Sequence, residues 1–195
     1  MKKTITIQEV FDKNKTNSKI EFEIENIEEH IINNIKHYKY VLKKDSYFWF
    51  VNGELHHEND EPAFYYLGGL HIVYAKNGIF HRDNDLLAVI MKSSEDAVLK
   101  RFWYINGKIN RENDKPAVIF ENGIFIWYKD NLIHRDNDKP ALIDESMEKQ
   151  EWYINGLLHR ENGYAIISKN KKFYALNGKK VNEEEFNKFN KLKTF

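Results

Sequence analysis

The sequence predicts a mainly β protein: an elongated array of antiparallel β-hairpin repeats, an open solenoid in form, with a small N-terminal α/β segment and a C-terminal capping helix. Three observations predict it. First, one motif recurs along the chain. It reads Trp49-Phe-Val-Asn-Gly-Glu-Leu-His-His-Glu-Asn-Asp-Glu-Pro-Ala63, and it returns from Trp103, Trp127 and Trp152, with a weaker copy from Tyr74 and a decayed one from Tyr174. Such recurrence builds a quasi-one-dimensional stack. Second, Asn-Gly begins at positions 52, 77, 106, 155 and 177. That pair marks a type I′ hairpin turn, which needs positive φ at both central residues. Third, the opening aromatic and the closing alanine are 14 positions apart in four units (49–63, 74–88, 103–117, 127–141), whereas the gap from alanine to the next aromatic varies from 9 to 15. A stacked element with one free turn collects its length variation in that turn.

The elements follow in order. Residues 1–44 lack the repeat and read as an α/β cap docked on the first hairpin. Within it, Thr6-Ile-Gln-Glu9 opens a short helix and Ile20-Glu-Phe-Glu-Ile24 alternates like a strand. Asn26-Ile-Glu-Glu29 opens a second helix, with Ile27, Ile31 and Ile35 on one face. Residues 45–182 hold five to six units of roughly 25 residues. In each, β-formers such as Phe102-Trp-Tyr-Ile105 precede the turn, a short segment such as Lys108-Ile-Asn-Arg111 follows it, and a further short strand such as Val118-Ile-Phe120 comes after Pro-Ala. Asp130-Asn131 replaces Asn-Gly in one unit, and both residues tolerate left-handed backbone. Residues 183–195 read as the capping helix, with Asn182 as N-cap, Glu185 at N3, and Phe186, Phe189 and Leu192 as its packing stripe.

Composition narrows the function classes. Lys+Arg and Asp+Glu balance at a formal charge of zero over 195 residues, so no broad electrostatic pull on nucleic acid or a membrane is indicated. The C-terminal stretch is the exception, with eight lysines from Lys169 onward against Glu183, Glu184 and Glu185. The lack of cysteine excludes disulfides, thiolate metal sites and cysteine nucleophiles, and fits a reducing compartment. Ile5 and Ile7 are too short an apolar run for a signal peptide, and no stretch approaches the roughly 20 apolar residues of a membrane helix. The expectation is a soluble, cytoplasmic protein with no membrane partner.

Four columns of the repeat could carry chemistry. Trp49, Tyr74, Trp103, Trp127 and Trp152 read as a repeated core layer, the alternative being a stacking platform for bases or sugars. The next column, Phe50, Tyr104, Tyr128 and Tyr153, falls on the other side of the strand and is the better candidate for an exposed, partner-binding face. Arg82, Arg111, Arg135 and Arg160 share one motif position in a chain with only five arginines. A planar fork suits a bidentate clamp on a loop carboxylate, the alternative being an anion ladder. The acidic loops, such as Glu112-Asn-Asp114, suffice as Asx-turns and salt bridges, and their spacing fits neither an EF-hand nor a glycine-rich calcium β-roll. His56, His81, His134 and His159 form the last column. Asn110 interrupts it, which favours hydrogen bonding over metal ligation. No set of side chains assembles for catalysis, so no cofactor, metal or catalytic residue is assigned.

The full motif, Trp-Tyr-x-Asn-Gly-x-Leu-His-Arg-Glu-Asn-x-x-Pro-Ala, resembles the MORN-like repeats of many bacterial and phage proteins, in particular the MORN_2 variant with a His-Arg-Glu-x-Gly-Pro-Ala core. The resemblance spans about Tyr47 to Asn182; Asn-Asp where glycine is common, and Leu86-Leu87 in place of x-Pro, depart from it. It implies hairpin arrays used for protein interaction and supplies no catalytic residues. The function read from the chain is therefore a non-enzymatic protein–protein interaction module. Its specific version is a phage- or mobile-element-encoded inhibitor that acts by steric occlusion of a host or defence enzyme. The competing class is a nucleic-acid or glycan binder that uses exposed aromatics and lysines. Pieces that depart from the repeat are free to specialise: the segment up to Lys44, the insertion Ser93-Ser94-Glu95-Asp96, and the basic C-terminal helix.

Overall fold

The computed structural model describes residues 3–6, 21–66, 70–92 and 98–192. They are mainly β, in antiparallel pairs, with one C-terminal helix among the described residues. The chain forms two compact units, residues 1–79 and 80–195.

The first unit contains β1 (Lys3–Thr6), β2 (Glu21–Ile32), β3 (Ile35–Leu42), β4 (Tyr47–Val51), the short β5 (Glu54–Leu55), β6 (Phe64–Tyr66) and β7 (His71–Val73). β1 pairs the start of β2, β2 pairs β3, β3 pairs β4, and β4 pairs β5 and β6, which pairs β7. Phe48, Phe64, Val73 and Ala63 are at most 1% exposed and form the core. Phe48 stacks on Phe64 at 4.3 Å between ring centroids, and Phe22 meets both edge-on.

The helix expected from Asn26 does not form. Residues 21–32 are a strand that turns at Asn33-Asn34, both left-handed at φ 53° and 62°, into β3. Ile31 and Ile35, expected on a packing face, are 69% and 43% exposed near that turn. The helical spacing of three isoleucines was outweighed by a pairing edge on β3, reinforced by ion pairs Lys36–Glu29 at 2.8 Å and Lys43–Glu23 at 3.0 Å. Thr6, expected to open a helix, ends β1, and residues 7–9 lie outside the described residues.

The second unit holds the regular repeats. Its sheet runs through strands Val89–Lys92, Leu99–Phe102, Val118–Phe120, Ile124–Ile126, Leu142–Asp144, Lys149–Glu151, Ile166–Ile167 and Lys172–Leu176, each antiparallel to the next. Between sheet strands the chain leaves at each tryptophan for a short hairpin: Tyr104–Ile105 with Lys108–Ile109, Tyr128–Lys129 with Leu132–Ile133, and Tyr153–Ile154 with Leu157–Leu158. Each repeat therefore contributes to a row of sheet strands and to a row of hairpins. The turns are left-handed where Asn-Gly requires it, as at Asn106 (φ 50°) and Gly107 (φ 75°).

The closing helix, α1, spans Glu183–Leu192. The Asn182 side chain accepts the Glu185 N–H at 2.8 Å and the Glu185 carboxylate accepts the Asn182 N–H at 2.9 Å, a reciprocal capping box. Phe186 is buried and stacks on Tyr174 at 4.2 Å, but Leu192, expected in the packing stripe, is 71% exposed. Helix α1 reaches only about three turns, and of its expected stripe only Phe186 is buried.

Candidate functional site

The repeated columns come together at the junction between consecutive repeats. Trp103, Trp127 and Trp152 are 5–9% exposed. Each indole Nε1–H donates to the backbone carbonyl of the acidic loop before it, at Asp85, Asp114 and Asp138, over 2.9–3.0 Å. On the indole lies a guanidinium: Arg111 over Trp103, Arg135 over Trp127 and Arg160 over Trp152, at 3.6–3.8 Å to the ring centroid. The same guanidinium reaches back to the loop whose carbonyl the indole holds. Arg135 donates from Nε and Nη2 to the two carboxylate oxygens of Asp114 at 2.6 and 3.1 Å, and from Nη1 to the Pro140 carbonyl at 3.1 Å. Arg111 does the same with Asp85 and Pro116, and Arg160 with Asp138 and Tyr164. Arg82 donates to the Leu87 carbonyl at 3.1 Å. This is a bidentate, stacked contact that lysine cannot reproduce. In the first unit Trp49 is 8% exposed with His57 edge-on at 4.6 Å; Tyr74 is half-buried.

Carboxylates of the Asp-bearing loops are thus committed to cations. Lys115 adds a bond to Asp85 and Lys139 one to Asp114, both at 2.6 Å. The hydrogen bonds from Arg111 and Arg135 hold these two carboxyls at about 2, below the usual 3.8. A depressed carboxylate pKa gives stability that is complete above about pH 4 and is lost as pH falls towards 2. Asp85 and Asp114 are 34% and 42% exposed, so solvent screening limits each to about 1 kcal/mol. We expect the midpoint of thermal unfolding to fall between pH 4 and pH 2, and the Asp85→Asn/Asp114→Asn variant to start lower and fall less. Parallel profiles for the two proteins would refute the clamp's contribution.

Histidines run a second ladder. The N–H of the next turn's asparagine donates to His Nδ1: Asn77 to His56, Asn106 to His81, Asn155 to His134 and Asn177 to His159, at 2.9–3.1 Å. An accepting Nδ1 leaves the proton on Nε2, which donates to Glu58, Asp83, Asp136 and Glu161 respectively. The acidic residue two places after each histidine is thereby explained. The unit with Asn110 instead of histidine is followed by the one turn without Asn-Gly, and there the Asn131 side chain accepts the Ile109 N–H at 2.6 Å. The two departures fall at the same junction, where a side-chain bond from the turn stands in place of one to it. We expect Asn110→His alone, and Asp130→Asn/Asn131→Gly alone, each to destabilise, and the combined variant to recover. Additive losses in a double-mutant cycle would show that the positions are independent.

The column Phe50, Tyr104, Tyr128 and Tyr153 is half-buried rather than an exposed face. Burial raises the phenol pKa of Tyr104, Tyr128 and Tyr153, and Tyr153 donates its hydroxyl to Glu151 at 2.8 Å. Alternation along the short strand does place this column opposite the tryptophans, but the sheet row supplies cover on that side too, as Phe102 beside Tyr104 shows. Ser93, Ser94, Glu95 and Asp96 lie outside the described residues. A cleft of about 240 Å³ opens between the loops His81–Leu86 and Asn110–Asn113, floored by Trp103 and Tyr104, and its charged walls belong to the same ladders. Among the described residues no group of three or more His, Asp or Glu is arranged to hold a metal ion.

In the first unit His37 is fully buried, and neither ring nitrogen has a hydrogen-bond partner. His56 lies 6.1 Å away and Trp49 6.3 Å away, ring to ring. Burial lowers its pKa; Glu58 opposes the shift and His56, His57 and His30 add to it. A histidine whose folded pKa is lowered costs stability as pH falls below its unfolded value near 6.5. We expect His37→Leu to flatten the stability profile between pH 7 and 5; an unchanged profile would exclude His37 as its source.

Hairpin-tip residues were missed by sequence reasoning. Leu132, Ile154 and Leu157 are 48%, 37% and 50% exposed. A signal existed: apolar residues flank these turns where other units carry Glu54, Lys108 or Lys179. Comparison with protein-family models, curated proteins and solved structures finds no match. Among the described residues no helix is long and apolar enough to cross a membrane.

Proposed function

We propose that this protein is a non-enzymatic protein-interaction module built from MORN-like hairpin repeats. One observation carries the reading. In the regular repeats the arginines, the paired aspartates and the histidines are spent on bonds between neighbouring units, while large apolar side chains stand exposed on the hairpin row. Committed polar groups hold a rigid scaffold, and exposed apolar groups on such a scaffold are what a protein partner buries. The resemblance to phage repeats supports a narrower version, an inhibitor that occludes a host or defence enzyme without chemistry of its own. The test is affinity capture with the full chain from bacterial lysate, at low and at high salt, read by mass spectrometry. A single protein retained at both salts supports the module. Nucleic acid retained at low salt and released steeply by high salt would establish the alternative, because counterion release governs phosphate contacts.

A further inference from the structure

The hairpin row of the second unit carries a surface of definite chemistry. In a two-residue hairpin the residues flanking the turn are cross-strand partners and project to one face. Those pairs are Ile105 with Lys108, Lys129 with Leu132, and Ile154 with Leu157. The next hairpin puts Lys179 after its turn. No acidic residue occupies any of these positions. The hairpins are continuous with one another. The Asn131 N–H donates to the Ile109 carbonyl, the Gly156 N–H to Ile133 and the Gly178 N–H to Leu158, at 2.9–3.0 Å.

Side chains overlap along the row as well. A Cβ on Gly156 would sit 3.3 Å from Leu132 Cδ2, and one on Gly178 would sit 3.4 Å from Leu157 Cδ2. Each leucine thus lies across the glycine of the next turn. The outcome is an apolar strip of Leu132, Ile154 and Leu157 with lysines at both ends and beside it. Two of those lysines have acidic neighbours, Lys108 with Asp130 at 3.6 Å and Lys129 with Asp136 at 3.9 Å. Both pairs are more than half exposed, and pairs of that kind exchange partners at little cost.

Resting on the reading of the protein as a binding module, we propose that this strip is its docking surface and that the partner is a protein segment joining apolar side chains with aspartate or glutamate. The apolar strip supplies the desolvated centre and the lysines steer and orient an acidic rim. Glycine in the turn lets each leucine lie close over the backbone, and a Cβ at Gly156 would press Leu132 outward by a few tenths of an ångström.

Panning random dodecapeptides displayed on phage against the immobilised full chain tests this. The expected result is enrichment of peptides that combine Asp or Glu with Leu, Ile or aromatic residues. Their affinity should fall about tenfold or more for Leu132→Glu and for Leu157→Glu, and for Lys129→Glu/Lys179→Glu, which leaves the leucines in place. Met147→Glu, at an exposed turn of the sheet row, serves as the control and should bind as wild type. Acidic peptides that bind the hairpin variants and wild type equally would overturn the docking surface and leave the module standing. Enriched peptides lacking acidic residues, a dimer that Leu157→Glu dissociates, or a single-stranded oligonucleotide displaced by Lys129→Glu/Lys179→Glu would each overturn the acidic partner. Failure to enrich any peptide, with no protein captured from lysate, would overturn both.

Discussion

Trp127→Ala is expected to lower the unfolding free energy by about 3–5 kcal/mol, the cost of truncating a buried aromatic. Three contacts end together. The indole is 9% exposed, its Nε1–H satisfies the Asp114 carbonyl at 3.0 Å, and its face supports the Arg135 guanidinium at 3.7 Å. Removing the ring leaves a cavity, an unpaired carbonyl and an arginine without its platform. Trp127→Phe keeps a ring and loses the donor, so it should fall between wild type and alanine. Urea unfolding followed by far-UV circular dichroism measures both. A loss below about 1 kcal/mol for Trp127→Ala would mean that the tryptophan column is not core.

Ala141→Leu is expected to be nearly as harmful, from the opposite cause. Ala63, Ala88, Ala117, Ala141 and Ala165 are all 0% exposed. At Ala141 the backbone is held on both sides: its N–H donates to the Glu151 carbonyl and its carbonyl accepts the Trp127 N–H, each at 2.8 Å. The strand cannot slide away to admit three more carbons. Overpacking of this kind costs about 1–3 kcal/mol and sometimes more. Ala141→Gly should cost less, about 1 kcal/mol or below, because it changes chain entropy and leaves only a small gap. If Ala141→Leu were no worse than Ala141→Gly, the position would have room, and the recurrence of alanine would need another explanation.

Much of the fold was legible in the chain. Asn-Gly pairs act locally, because positive φ is a property of the residue and its immediate neighbours. Asn52, Asn106 and Asn177 adopt it as expected, whereas the left-handed Asn33-Asn34 turn lay inside the expected helix. The Asn182–Glu185 capping box is local for the same reason. Recurrence of an aromatic and an alanine 14 positions apart in four units identified a layer that each unit must repeat in order to stack. The junction was legible only in part: the arginine column read as a clamp on a loop carboxylate, but not which loop it reaches. The choice of the preceding loop by Arg135, and of the following hairpin's turn by His134, was left open because both contacts cross from one repeat to its neighbour. Residues 26–35 carry a helical spacing, but a strand results because β3 offers hydrogen bonds and lysines that the segment cannot supply to itself. Exposure followed the same rule. Tyr104, Tyr128 and Tyr153 are half-buried, Tyr104 against the rings of Phe80 and Phe102, whereas Leu157 on the hairpin row is 50% exposed. Turns, period and the repeating layer could be read from the chain, because short-range backbone preference and recurrence set them. The clamp pairs, the filled strand edges and the apolar side chains that face solvent follow from tertiary contacts, because these join residues distant in the chain, as with Arg135 and Asp114.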